Sequence, residues 1–349
     1  MPTDPKPRSV LPQLAIIAAT IGIAGLAFLY TAGWFSPDRL SPQRYIAALA
    51  PPGGPALGHR RNHAKGICAT GTFEATGAAT ALTTAPMFRP GTYPIDARFS
   101  LGSAQPDASD ATTRVRGLGF RITAAGQEWR SANIDVPFFP VATPTAFLAL
   151  LQASASKDPK ALGPVAAAHP ELKNFGAWAK TAPWTGSFAE ERYNGLDAFL
   201  FTDAAGATHP VRWSLIPQAT VQTLPPDELA KLGPDFLRPE LEHRIADRPL
   251  RWTMILTVGA PGDPTNDPSH AWPDGRQTVT AGTFALDHLE PESNGPCRDI
   301  NYDPTVLPTG IRISDDPFPA ARSSVYAKSF DLRTAEAGDF PHTASTAQP

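Results

Sequence analysis

Cysteine is almost missing from this chain of 349 residues, which holds only Cys68 and Cys297. Two cysteines cannot make a disulfide-dense scaffold, and the sequence alone does not decide between one bridge and two small buried thiols. An excess of positive charge is missing as well. With 30 Lys and Arg against 33 Asp and Glu, the formal net charge is −3, which argues against nucleic acid as a partner. Long apolar runs are absent but for one, near the N-terminus. Proline and glycine are abundant at 39 and 27 residues, a balance that favours strands, turns and irregular connections over a helical bundle. The length suits one large domain or two smaller ones, with ample material for a core.

The one apolar run, Leu14 to Phe35, carries no charge and follows Lys6 and Arg8. It matches the ~20 residues that cross a bilayer as a helix. A secretory signal has a core of only about 7 to 15 residues, and no Ala-x-Ala cleavage site follows here. The expectation is a short cytoplasmic tail (1–13), a retained signal anchor (14–35) and a single pass through the inner membrane, with the globular part facing the periplasm. Arg39 and Arg44 soon after the span weaken the charge asymmetry that would fix this orientation.

Residues 36–54 read as a Pro-rich link with a short possible helix over 42–49. From Gly66 to about Phe139 the chain shows β-compatible runs, such as Ala97 to Leu101 and Gly117 to Ile122, broken by Gly, Pro and Asp. Residues 144–181 are rich in Ala and Leu at helical spacing. Strand-like stretches return over 198–222 and 250–259, with Pro226 to Leu232 helical between them. Helix comes back around Pro319 to Phe330, and the polar tail 336–349 is expected to be loose. Strands, helices, then strands again predict an α+β fold in which an antiparallel barrel carries flanking helices.

Two motifs from opposite ends of the chain carry chemistry. Arg60-Arg61-Asn62-His63-Ala64-Lys65-Gly66 lies near the start and Arg322-Ser323-Ser324-Val325-Tyr326 near the end. Tyrosine is a poor iron ligand as a phenol and a good one as a phenolate, so a site using it must hold down a pKa of about 10. On a helix, the i to i+4 spacing puts the Arg322 guanidinium one turn from Tyr326, where a fixed positive charge favours the phenolate.

The first motif resembles the distal-histidine segment of the haem catalases, and the second resembles their proximal Arg-x-x-x-Tyr. Further pieces follow in the right order. Ala97-Arg98-Phe99-Ser100 is similar to the family's Arg-Phe-Ser strand, and Thr113-Arg114-Val115-Arg116-Gly117-Leu118-Gly119-Phe120 to its Arg-Asp-x-Arg-Gly-Phe strand, one residue shorter. Val136-Pro137-Phe138-Phe139 with Thr143-Pro144-Thr145-Ala146-Phe147 resembles the Pro-x-Phe-Phe strand and the segment after it. Asp303-Pro304 through Ile311, then Ser314-Asp315-Asp316-Pro317, tracks the approach to the proximal helix. The likeness spans roughly residues 55–335. A full-length catalase subunit is much longer, so the chain looks like the pared-down branch, the catalase-related peroxidases.

The resemblance implies a non-covalent haem b, consistent with the lack of any Cys-x-x-Cys-His run. His63 would be the acid-base catalyst, taking a proton from the peroxide oxygen that meets the iron and returning it to the departing one. Ser100 would fix the His63 tautomer. Tyr326 would be the axial ligand, Arg322 its stabiliser, and Phe147 would pack on the distal face of the porphyrin. Arg60, Arg98 and Arg333 match the positions that hold the two propionates, a task suited to arginine. One departure matters. The family's distal asparagine aligns without gaps on Ile134, with Asn133 one residue earlier, and a one-residue shift on a strand reverses the side chain. Either a bulge brings Asn133 into the pocket as a catalytic residue or the distal amide is absent. The expected function is a haem peroxidase acting on hydrogen peroxide or a small organic hydroperoxide with a small-molecule reductant. A hydroperoxide-rearranging enzyme like the allene oxide synthases and a non-catalytic haem-binding protein are the alternatives.

Overall fold

The computed structural model describes residues 11–31 and 40–342, and Met1–Ser41 and Pro42–Pro349 form separate compact units. In the first unit the apolar run is a helix, α1 (Leu11–Thr31), long and apolar enough to cross a membrane. A signal sequence near an N-terminus passes the same test. Residues 32–35 of the expected span lie outside the described residues, as do 1–10 and 343–349.

The second unit is built on an antiparallel barrel. Its strands are β1 (Gly66–Ala75), β2 (Gly91–Leu101), β3 (Arg116–Ala124), β4 (Gln127–Ile134), β5 (Tyr193–Thr202), β6 (Thr208–Pro217), β7 (Leu250–Val258) and β8 (Thr278–Pro291). Each pairs with its sequence neighbour, except that the β4–β5 contact is a single pair, Ile134 with Asn194; β1 pairs with β8, and the ring closes through that one β4–β5 pair. A short strand β9 (Ile311–Ile313) pairs with residues 199–201 of β5 on the side away from β6. Alternation fills the barrel. In β2, Ile95, Ala97, Phe99 and Leu101 enter the core while Asp96, Arg98 and Ser100 stay out of it. The interior is aromatic: Phe120 packs edge-on to Trp129 at 5.1 Å, and Trp129 edge-on to Trp213 at 5.0 Å.

Helices flank this barrel. They are α2 (Pro42–Leu49), α3 (Pro144–Ala155), α4 (Leu162–Ala168), α5 (Leu172–Thr181), α6 (Pro226–Lys231), α7 (Leu237–Asp247) and α8 (Pro317–Ala335). The Ala/Leu-rich stretch 144–181 is three helices rather than one, with Pro159 and Pro170 in the breaks, where proline lacks the N–H a continuing helix needs. Strand β8 and helix α7 were not expected from sequence. In β8 only Ala281, Phe284, Ala285 and Leu286 are buried hydrophobic positions, and the threonines at 278, 280 and 283 with Asp287, His288 and Glu290 after them mask the pattern.

Both ends of the barrel unit are tied to it. Within the expected link 36–54, the helix expected over 42–49 is α2, which belongs to the barrel unit: the buried Tyr45 hydroxyl donates to the Pro144 carbonyl, and its ring lies 6.4 Å from that of Phe147. The tail is held as far as His342. Glu336 takes both carboxylate bonds to Arg61 and one from the Gly58 N–H, and Phe340 stacks on His59 at 4.1 Å.

Candidate active site

The two motifs meet in one cavity of about 740 Å³ on the helix-covered side of the barrel. His63 and Ser100 line it, as do Arg322 and Tyr326 of α8, which nears the wall from the other end of the chain. Side chains from α2 and α3, among them Leu49, Phe147 and Leu151, make the rest of it largely apolar.

His63 sits just before β1 with a positive φ of 54°, a conformation uncommon outside glycine and costly by roughly 1 to 3 kcal/mol. The turn is held on both sides: the His63 N–H donates to Asn62 Oδ1 at 2.9 Å, and the Ala64 N–H to the Ser103 carbonyl at 2.8 Å. Its Nδ1 lies 3.0 Å from Ser100 Oγ. Burial, reinforced by the charges of Arg98, Arg322 and Arg60, pushes the imidazole pKa down to about 3, so the ring is neutral at physiological pH. With Nδ1–H donating to Ser100, the lone pair on Nε2 remains for another partner. Gly117, one strand over, is within 3.1 Å of the imidazole at the position a Cβ would take, so any side chain there would displace the ring.

Ser100, Gly117 and Ile134 are register partners across β2, β3 and β4 and stand in one row. The pairing of β3 with β4 is continuous and contains no bulge. Ile134 therefore stands beside Gly117 in that row, and Asn133, one residue earlier, borders the cavity as well. The Asn133 amide turns into the barrel, accepts from Trp213 Nε1 and Ser131 Oγ at 2.9 Å each, and donates to the Leu118 carbonyl at 3.0 Å.

The other wall is α8. Asp316 caps its N-terminus, Oδ1 accepting from the Phe318 N–H at 2.9 Å, and Pro317 stands at the first helical position. Arg322 donates to Tyr326 Oη at 3.2 Å, to Asp197 Oδ2 at 2.7 Å and to the Ala132 carbonyl at 3.0 Å. Burial works to lower the Arg322 pKa, but the charges of Tyr326 and Asp197 outweigh it and hold it above its ordinary value. Asp197, on β5, was not expected from sequence, since nothing near it in the chain marks it.

Arg60, Arg98 and Arg333 gather at one edge of the cavity around Glu292. Arg98 binds Glu292 with two hydrogen bonds, at 2.8 and 2.6 Å, and Arg60 lies 3.8 Å from it. Arg60 donates to the carbonyls of Cys297 and Ile300 at 2.8 and 3.0 Å, and Arg333 to those of Arg298 and Ile300. Burial and the neighbouring guanidiniums lower Arg60 to about 10 and Arg333 to about 9. Burial alone would raise Glu292, but the three arginines hold it below its ordinary value. Gly66 permits the arrangement, since a Cβ there would fall 2.3 Å from the Arg98 guanidinium. Three guanidiniums against one carboxylate leave two positive charges unmatched at the rim of an apolar cleft, which fits a flat apolar group bearing two carboxylates. Phe147 lines the same cleft in an aromatic cluster with Phe139 at 4.9 Å and Phe318 at 6.4 Å.

Comparison with known proteins agrees with this geometry. The family model for catalase matches residues 56–338. The catalase-related peroxidase of Synechococcus elongatus is 35% identical over 328 residues, covering 92% of this chain and 95% of the relative. That of Mycolicibacterium paratuberculosis is 34% identical over 303 residues, 84% and 95% of the two chains. Among solved structures, catalase A from Saccharomyces cerevisiae superposes with a TM-score of 0.71 at 17% identity, over 79% of this chain and 61% of that one. A bacterial catalase gives 0.70 at 20% identity, over 83% and 60%. The chain thus spans about three fifths of the length of these two catalases while keeping their eight-stranded barrel. By family match, by identity along nearly its whole length and by fold, this chain belongs to the catalase family.

Proposed function

We propose that this protein is a haem-dependent peroxidase that reduces hydrogen peroxide or a small organic hydroperoxide with electrons from a small-molecule donor. Haem b fits the cleft non-covalently, with Tyr326 as its protein ligand and its propionates on Arg60, Arg98 and Arg333. When bound, it would supply iron for peroxide binding and two-electron redox chemistry. The protein does the rest. Arg322, fixed by Asp197 and the Ala132 carbonyl, donates to Tyr326 Oη and holds the ligand oxygen in place. His63, neutral and oriented by Ser100, accepts a proton from one peroxide oxygen and returns it to the other as that oxygen leaves as water or alcohol. Two electrons and two protons from the donor complete the balance, ROOH becoming ROH and water.

The observation that carries the peroxidase reading over efficient disproportionation is the row Ser100, Gly117, Ile134. Disproportionation requires the distal pocket to orient a second peroxide for oxidation, and an isoleucine offers that molecule no hydrogen bond. Compartment follows from other features. A disulfide between Cys68 and Cys297 suits an oxidising environment, and with α1 as a retained anchor the enzyme faces the periplasm.

The test compares donor oxidation with oxygen release on one haem-loaded preparation, beside Ile134→Asn. Wild type should oxidise a small phenolic donor readily and release oxygen slowly, and the variant should shift the ratio toward oxygen. Vigorous oxygen release with little donor oxidation by wild type refutes the peroxidase assignment; neither activity at full haem loading makes the protein a carrier.

A further inference from the structure

Cys68 and Cys297 are 229 residues apart in sequence, joined by a disulfide with a Cα–Cα distance of 5.3 Å, and both fully buried. Their surroundings connect them to the arginine cluster. Cys68 lies on β1 directly opposite Arg98 of β2. Cys297 lies in a single 3₁₀ turn (Pro296–Asp299) of the irregular segment that follows β8. Within that segment Glu292 binds Arg98, and the carbonyls of Cys297, Arg298 and Ile300 receive Arg60 and Arg333. Gly295 is packed so closely that a Cβ would fall 2.5 Å from Cys68 Sγ. Every acceptor named here for these three arginines other than the Ala64 carbonyl thus sits on one irregular stretch, and the disulfide ties that stretch to the barrel wall carrying Arg98.

Three buried guanidiniums repel one another, and carbonyl dipoles with one carboxylate are a modest counterweight. A segment with no sheet ladder of its own would yield to that repulsion by moving away from β1. We propose that the Cys68–Cys297 disulfide is a positioning device for the cofactor-binding edge of the site, holding Arg60, Arg98 and Arg333 at the spacing that two carboxylates require. The inference rests on the haem reading for the identity of those carboxylates, but the placement of the arginines is independent of it.

The experiment uses the full chain, wild type beside Cys68→Ser/Cys297→Ser and Cys68→Ala/Cys297→Ala. Two quantities are read: the rate at which bound haem passes to excess apomyoglobin, and amide hydrogen exchange across residues 60–64 and 292–302 relative to the barrel strands. Loss of the bridge should speed haem release about tenfold or more, the size expected when an outer-shell support is removed. It should also raise exchange in those two segments beyond any rise in β1 to β8. Release unchanged in both variants, or exchange rising evenly over the whole barrel, overturns the proposal. If neither variant folds, dithiothreitol acts on the folded wild type. It delivers two electrons and two protons to the bridge, and the thiols are trapped with iodoacetamide before the same readings. Should wild type itself retain no haem, the functional reading fails, while the exchange comparison still decides whether the bridge holds the arginines in place.

Discussion

At the scale of single residues, the proposed chemistry turns on keeping one imidazole neutral. A histidine with its usual pKa of about 6.5 would lose base function through the mildly acidic range. Burial among three arginines lowers His63 to about 3, so the neutral base persists well below that range. The rate of reaction with peroxide should be flat from about pH 5 to 8 and fall only as the medium approaches pH 3. A stopped-flow profile with a midpoint near 6.5 would show the site to be open to water. His63→Ala should leave haem bound while slowing that reaction by about 10² to 10⁴, the usual worth of acid-base transfer. His63, Ser100, Arg322 and Tyr326, which meet in one cavity, were legible in sequence because they sit in local motifs. Asn133 was left open, since two adjacent strand residues face opposite ways; the unbroken β3–β4 register puts Ile134 beside Gly117, while the Asn133 amide bonds to Trp213, Ser131 and Leu118. Glu292 and Asp197 were hidden for another reason: each acts on an arginine far away in sequence, and no short spacing announces it.

Among the elements, α8 does the most, and its N-terminus carries a charge problem. Asp316 caps the helix through Oδ1, while its Oδ2 is buried with no hydrogen-bond partner. Burial and the nearby Asp197 push its pKa up to about 7, although Arg212 and Arg322 pull the other way. A carboxyl whose folded pKa exceeds its unfolded value of about 3.9 contributes stability in acid and loses it as pH rises through the folded value. Asp316→Asn keeps the capping oxygen and removes the charge. The variant should come closest to wild type near pH 4, where neither state has yet lost the proton fully, and exceed it in Tm by a margin that grows up to pH 8; thermal melts at the two pH values check this, and a variant less stable at both would mean that the carboxylate itself is needed. The helix was legible from Pro319 to Phe330 but runs Pro317–Ala335, because its ends are set by the Asp316 cap and by buried Arg333, neither of which hydrophobic spacing reveals. Strand β8 escaped notice because its outward face is polar, and only closure of the ring makes it a strand of the core.

For the whole molecule, the division at Ser41 and Pro42 makes a prediction about where the chain can be shortened. A protein beginning at Leu40 should be soluble and keep its fold, since α2 stays attached. One beginning at Pro55 loses Tyr45 and its bond to Pro144, opens the cavity wall and should bind haem more weakly. Titration of both forms with hemin, monitored by absorbance, distinguishes them, and equal affinity would remove α2 from the site. The barrel class was legible from the ordered motifs and the balance of proline and glycine; the inclusion of α2 and of residues 336–342 was not, because both depend on contacts with distant segments. Ring closure carries one more consequence, for the order in which a newly made chain becomes competent. Strand β1 finds its second partner only when β8 has been synthesised, Cys68 waits for Cys297, and Tyr326 comes later than both. Such long-range pairings are slow to form. Under the proposed function, the residues that would grip a haem, from His63 to Tyr326, come together only after β8 and Cys297 have been made, so the topology delays closure of the site until that late stage of synthesis.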